Sequence, residues 1–239
     1  MNELTLARYG IEPSIVIPET HFFTLAIENK TLLLTILSEL RQQTEDGKEA
    51  GFTLLLNGKP MSMEKSVSVV FDSTDIDFNA KKITNLLAKN FSEFLGLGEQ
   101  AEALTKLEKI IFNLAEDFRV KSGLNIEYDT VMNGNNLAKV CSLRMADDKQ
   151  RLCERLCEYV NLLCDLKPLK LFVLVFGKQF LEESDIFAFY RYCFDKNVRL
   201  LFIEGRDVSE YLQGERRLII DSDLCSIPIG YDGLELTKG

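Results

Sequence analysis

LKLFVLVFGKQFLEESDIFAFYRYCFDKNVRLLFIEGRDVSEYLQGERRLIIDSD, residues Leu169–Asp223, decides the fold. Two nearly unbroken apolar runs, Lys170–Phe176 and Val198–Ile203, flank one amphipathic segment. Apolar residues on both alternate positions mark strands buried on both faces, and a helix between two of them makes a βαβ unit. The second run ends in Glu204-Gly205, an acidic strand end of the kind that points into nucleotide sites. A phosphate loop, however, needs G-x-x-x-x-G-K-[ST], so that backbone N–H groups wrap the phosphates. Gly51 and Gly58-Lys59 have the wrong spacing and are followed by Pro60; Gly177-Lys178 has no earlier glycine to accompany it.

Working outward, Ser14–Ile17 and Phe22–Ile27 read as strands, and Asn29–Gln43 as a helix with a stripe of Leu32, Leu33, Ile36, Leu37 and Leu40. Phe52–Leu56 is a strand before the hairpin signal Asn57-Gly58, with Lys59–Met61 continuing it, and Ser66–Phe71 is another strand. After Asp77 helical spacing takes over. Ile83, Leu86, Leu87, Asn90, Phe91 and Phe94 mark one helix, which Gly96 and Gly98 break. Leu104, Leu107, Ile110, Ile111, Leu114 and Phe118 mark a second. Lys121–Asp129 is polar and turn-like, and Met132–Ala138 is rich in Asn and Gly. Asp147–Leu166 is a third helix, with Leu152, Leu156, Leu163 and Leu166 inward, stopped by Pro168. Buried strands at both ends of the chain predict an α/β fold with one mixed sheet built from both termini and a helical insertion between them.

Composition narrows the function. The chain has 239 residues, 46% hydrophobic and 27% charged, with 28 basic and 37 acidic residues for a net charge of −9. That balance argues against nucleic acid without excluding it, since local clustering sets the field a ligand meets. The single histidine, His21, makes histidine catalysis or a multi-histidine metal site a poor expectation. No apolar run spans a bilayer, and MNELTLARYGIEPS lacks the basic start and apolar core of a signal peptide, so the expected place is the cytoplasm. Six cysteines outside any disulfide framework fit a reducing compartment. Cys153, Cys157 and Cys164 share one helix face with no CxxC pair, so they read as small buried hydrophobes.

Two constellations remain. Asp221-Ser222-Asp223 reads better as a turn than as a cation site. In Leu124–Asp129, Asn125, Glu127 and Asp129 lie close together just beyond Glu116-Asp117. Hard oxygen ligands in a flexible loop suit Ca2+. A solvated loop gives the same letters, and spacing alone favours it because no EF-hand pattern is present. Lys139 and Arg144 lie in the segment returning from this loop, and Lys81, Lys82 and Lys89 on the first insertion helix; folding or oligomerisation would have to gather them into a groove.

Taken together, these segments resemble the type II-A CRISPR spacer-acquisition accessory proteins, a ring-forming family that binds ends of double-stranded DNA. The resemblance runs through Phe22–Glu28, Phe52–Leu56, Val69–Asp72, Asp77–Asn79, Ile83–Leu86, Leu124–Asp129, Leu137–Lys139 and the terminal unit with Leu201–Glu204. It implies an α/β head related to P-loop ATPases without a working nucleotide site, formed by 1–78 together with 165–239. It further implies an α-helical leg, 79–164, and a homotetrameric ring with a basic central hole. By position it implies calcium ligands at Glu127 and Asp129, with Asn125 and Asp117 beside them. DNA contacts are implied at Lys139 and Arg144, and Lys81 and Lys82 are grouped with them. Its implied partners are DNA ends, the CRISPR integrase proteins and the type II effector nuclease, and no catalysis is expected. The chain departs from the family pattern at the N-terminus, around Thr44–Ala50 and around Lys121–Gly123. Two other classes are kept open: a P-loop-like ATPase or nucleotide kinase with a degenerate site, and an assembly scaffold whose acidic surface binds only proteins.

Overall fold

The computed structural model describes residues 3–129, 134–146, 151–207 and 211–230. In chain order its strands are β1 (Leu4–Arg8), β2 (Ile15–Ile17), β3 (Phe22–Ile27), β4 (Phe52–Leu56), β5 (Lys59–Met61) and β6 (Val67–Val70), then β7 (Leu171–Val175), β8 (Arg199–Glu204), β9 (Glu215–Ile220) and β10 (Ser226–Ile229). Its helices are α1 (Lys30–Thr44), α2 (Met63–Ser66), α3 (Lys81–Leu95), α4 (Gly98–Ser122), α5 (Gly134–Val140), α6 (Leu152–Leu166) and α7 (Glu183–Asp195). The chain divides into two compact units, Met1–Ile76 with Asp148–Gly239, and Asp77–Asp147.

The first unit is mixed α/β. Its six-stranded sheet runs β10-β9-β3-β8-β7-β6, parallel except for the antiparallel edge strand β10. The apolar runs that predict the βαβ unit become β7 and β8, and every residue of both is buried. The strand pleat sorts their side chains by alternate positions. Leu171, Val173, Val175, Leu201 and Ile203 join Phe23, Leu25 and Ile27 in a core with Ile36 and Leu40 of α1. The alternate residues carry rings on the opposite face. Phe172 stacks edge-on against Phe189 of α7 at 5.6 Å and Tyr159 of α6 at 6.3 Å, and Phe22 against Phe202 at 5.8 Å.

The expectation of one mixed sheet is corrected. β1, β2, β4 and β5 form a separate antiparallel sheet in the order β2-β1-β4-β5, which closes over the α1 core through Leu4, Leu6, Ile15, Ile17, Phe52 and Leu54. Its organising strand is β1, whose short alternating LTLAR lies outside the strands read from the sequence. Three boundaries also move. Helix α6 begins at Leu152 because Glu154 Oε2 accepts the Arg151 N–H at 3.2 Å, which caps it there. It lies in the first unit, so the second unit ends at Asp147 rather than at 164. The Asn- and Gly-rich Met132–Ala138 yields helix α5 from Gly134, where a Cβ would fall 2.2 Å from Ser92 Cα. That glycine serves close helix approach, not a turn.

Candidate nucleic-acid interface

Within the second unit, α3 packs on α5. Asp77 Oδ1 accepts the Asn79 N–H at 2.7 Å, shaping the chain as it enters α3. The Asn79 amide then makes a reciprocal pair with the segment leaving α5: Nδ2 donates to the Met145 carbonyl at 3.1 Å, and Oδ1 accepts the Met145 N–H at 2.9 Å. These bonds hold the backbone beside Arg144 next to the chain just before Lys81. Lys81, Lys139 and Arg144 are exposed, and Lys82 is half-buried. Among the described residues, no ion pair holds Lys81, Lys139 or Arg144, whereas Lys89 pairs with Glu93 and Arg119 with Glu116. The unit is also less acidic than the chain as a whole, with nine Lys and Arg against ten Asp and Glu between Asp77 and Asp147.

The acidic loop follows α4, whose end is capped by left-handed Gly123 (φ 65°). From Asn125 to Asp129 burial alternates: Ile126 and Tyr128 are half-buried, while Asn125, Glu127 and Asp129 are exposed. Tyr128 pins the segment to α4, with its ring edge-on to Phe112 at 5.9 Å and its hydroxyl donating to Glu116 Oε2 at 2.5 Å. Arg119 donates to both Glu116 oxygens, at 2.9 Å and 2.5 Å. The Arg119 and Tyr128 hydrogen bonds hold the Glu116 carboxyl down at about 2. Sequence reading passed over Glu116 for its neighbour Asp117, which is exposed on α4; the aromatic Tyr128 within reach of an acidic helix end was the available signal.

Asn125, Glu127 and Asp129 supply the hard oxygens that calcium takes. Among the described residues, however, no three His, Cys, Asp or Glu are grouped to hold an ion.

In the first unit the nucleotide question has a local answer. Only Glu28 and Asn29 separate β3 from α1. Asn29 Oδ1 caps the helix on the Leu32 N–H at 3.0 Å, and its Nδ2 donates to the Ser222 carbonyl at 3.0 Å. Two residues leave no loop to wrap a phosphate. Gly177 is explained by Leu174, whose Cδ2 would lie 2.2 Å from any Cβ there. Lys178 turns inward: its N–H donates to Glu204 Oε1 at 3.0 Å, and its Nζ reaches Glu215 Oε1 at 2.5 Å between the rings of Phe22 and Phe202. Glu204 thus belongs to a local polar network, and burial pushes its carboxyl up.

Asp221-Ser222-Asp223 forms the turn expected of it: Asp221 Oδ1 accepts the N–H groups of Asp223 at 2.9 Å and Cys225 at 2.8 Å. Cys153, Cys157 and Cys164, read as buried hydrophobes, are only half-buried, although burial still pushes the Cys157 thiol up to about 12; the buried thiol is Cys193, raised well above its usual range. Among the described residues no helix is long and apolar enough to cross a membrane.

The model of the CRISPR-associated Csn2 protein family matches residues 45–224. The chain belongs to that family. Membership places it among the accessory proteins of type II-A CRISPR systems, as the sequence resemblance implied. Among solved structures, Stu0660 of Streptococcus thermophilus superposes with a TM-score of 0.57 at 12% identity, over 92% of this chain and 75% of that one. At that identity the likeness speaks for the α/β fold alone. A bacterial Atm1-family ABC exporter with ATP bound aligns at 0.41, with 12% identity over 92% of this chain and 37% of the exporter. A putative ABC transporter ATP-binding protein from Pyrococcus furiosus aligns at 0.37, with 10% identity over 90% and 96%. Both fall too low to support an argument about nucleotides. No curated protein matches the sequence of this chain.

Proposed function

We propose that this Csn2-family chain is a non-enzymatic, homotetrameric ring that holds double-stranded DNA ends while new spacers are acquired. The observation that carries the reading is the placement of Lys81, Lys139 and Arg144. In a chain of net charge −9 they are exposed and free of ion pairs among the described residues, and Asn79 ties the last to the start of α3. Four copies of such a patch on one inner surface would sum a few phosphate contacts per subunit, so affinity falls steeply with salt. In this reading shape and charge dominate over base readout.

Self-assembly has its own support. None of the 25 residues of α4 is buried, although Ile110, Leu114 and Phe118 recur at four-residue spacing with 56%, 65% and 61% exposure. Such a stripe on a helix of this length is covered in the working protein. A second copy of the same helix is the occupant we assign.

Calcium belongs to the same reading. Glu127 and Asp129, with Asn125 and Asp117, are the hard-oxygen donors assigned to it, together with oxygens from a neighbouring copy. The head is a relative of P-loop ATPases whose phosphate loop is replaced by Glu28-Asn29. The partners are DNA ends, the CRISPR integrase proteins and the type II effector nuclease, in the cytoplasm.

The test compares binding of linear and covalently closed duplex of the same sequence, with and without calcium. Threading predicts capture of the linear form alone, and equal retention of closed circles sinks it. Light scattering that returns a monomer in calcium sinks the ring. Lys139→Ala combined with Arg144→Glu should abolish binding, and unchanged affinity would leave a scaffold that binds only proteins.

A further inference from the structure

We infer that Asn79 is a positioning residue for the DNA contact of Arg144; this rests on the DNA-binding reading above. Helix α5 closes on itself through backbone bonds from Cys141 N–H to the Leu137 carbonyl, Ser142 N–H to the Lys139 carbonyl and Leu143 N–H to the Ala138 carbonyl. Beyond Leu143 the chain leaves that framework. Asn79, 66 residues earlier, supplies the pair of bonds that holds it at Met145. One amide that donates to and accepts from the backbone of the same residue reproduces a strand pair, and neither an apolar side chain nor a carboxylate can do both.

The cation beside that residue is Arg144. It is exposed and, among the described residues, in no ion pair, so no acid holds its guanidinium in place. Its position is set by its backbone, and its backbone by Asn79. Lys81 lies two residues beyond Asn79, again without an ion pair among the described residues, so the same amide that anchors Arg144 sets its distance from Lys81. Without Asn79, Arg144 would be ordered only when DNA binds, and that ordering would be subtracted from affinity.

The experiment uses the full chain and a short linear duplex, with four proteins: wild type, Asn79→Ala, Arg144→Ala and the double variant. Asn79→Ala should weaken binding about three- to tenfold, from the cost of immobilising one side chain and its peptide. Its salt slope should fall toward that of Arg144→Ala, because the lost contact is to a phosphate. The double variant should bind no more weakly than Arg144→Ala, since Asn79 acts through Arg144. A general weakening of the leg would instead give additive losses. Additive losses, or wild-type affinity and slope in Asn79→Ala, overturn the assignment. Should Asn79→Ala change the molecular mass or the melting curve, Asn79→Asp, which still accepts the Met145 N–H, takes its place in the same cycle under the same criterion. If wild type binds no duplex, or Arg144→Ala binds like wild type, the DNA reading itself fails and this role with it. Additive losses beside an intact Arg144 effect remove only the role of Asn79.

Discussion

Lys178 and Glu215 meet with Nζ 2.5 Å from Oε1 at a point where their side chains are 2% and 0% exposed. Burial works against both charges, yet Arg217 and Lys178 together hold the Glu215 carboxyl below its ordinary range. Arg217 reaches the same carboxylate at 3.0 and 3.1 Å and also pairs with Asp207 at 2.5 Å. Glu215→Gln would leave the buried Lys178 ammonium without its carboxylate and remove one of the two carboxylates that hold Arg217, and urea denaturation should show the head losing about 3–5 kcal/mol. Lys178→Met leaves Glu215 paired with Arg217, so its loss should be clearly the smaller. The reverse ranking would mean that Lys178, not Glu215, is the centre of the cluster.

Glu204 stands at the edge of that network with the opposite tendency. Burial raises its carboxyl, against the pull of the Lys178 N–H and ammonium. A raised carboxyl binds its proton in the folded state, so this group favours folding below its unfolded value and loses that contribution as pH climbs through the folded one. Glu204→Gln keeps an oxygen for the Lys178 N–H and carries no charge. It should match wild type in mild acid and melt higher than wild type at pH 8. A lower melting point at pH 8 would show that the ionised form is needed.

The fold was legible where packing alone decides it. β7 and β8 are apolar on both faces, and that pattern has no other common use in a globular chain. β1 was not legible, because five residues of mixed pattern become a strand only once β2 and β4 flank them. Helix α5 was hidden for a related reason: Gly134 looks like a turn residue until Ser92 is brought against it. At the site, the cations could be read one at a time, but Asn79 could not. Its partner Met145 lies 66 residues away and engages through its backbone, which carries no side-chain signal.

Gly134 gives a sharp steric test. A methyl group there would sit 2.2 Å from Ser92 Cα and 2.7 Å from its backbone nitrogen, and backbone cannot yield as a side chain tip can. Gly134→Ala should push α5 off α3 and destabilise the second unit by about 1–3 kcal/mol, the usual cost of overpacking. Since α5 carries Lys139, duplex affinity should fall too. Wild-type melting would mean that the two helices separate without cost.

The Glu116–Tyr128 contact predicts how the acidic loop responds to pH. With Arg119 and Tyr128 holding Glu116 at about 2, its contribution is complete above the ordinary carboxylate value of 4.5 and is lost as pH falls through about 2. On the alkaline side the Tyr128 phenol is raised by its bond to Glu116, so the contact persists past pH 10 before it fails. The Tyr128 ring resonances should therefore keep their docked shifts from pH 5 to pH 9. Glu116→Gln should release the ring within that range, and an unmoved ring would show that the Phe112 contact alone places the loop.

The exposed stripe of α4 separates folding from assembly. Leu114 and Phe118 contribute little to the fold of one chain, being 65% and 61% exposed, so Leu114→Glu and Phe118→Glu should shift the stability of the monomer by no more than about 0.5 kcal/mol. At an interface between two copies, each charge would be buried without a partner, and association should weaken by orders of magnitude. Light scattering across a concentration series should find the double variant at lower mass than wild type, with its circular dichroism unchanged. An unchanged mass would place the contacts between copies elsewhere on the chain and leave α4 to a different partner.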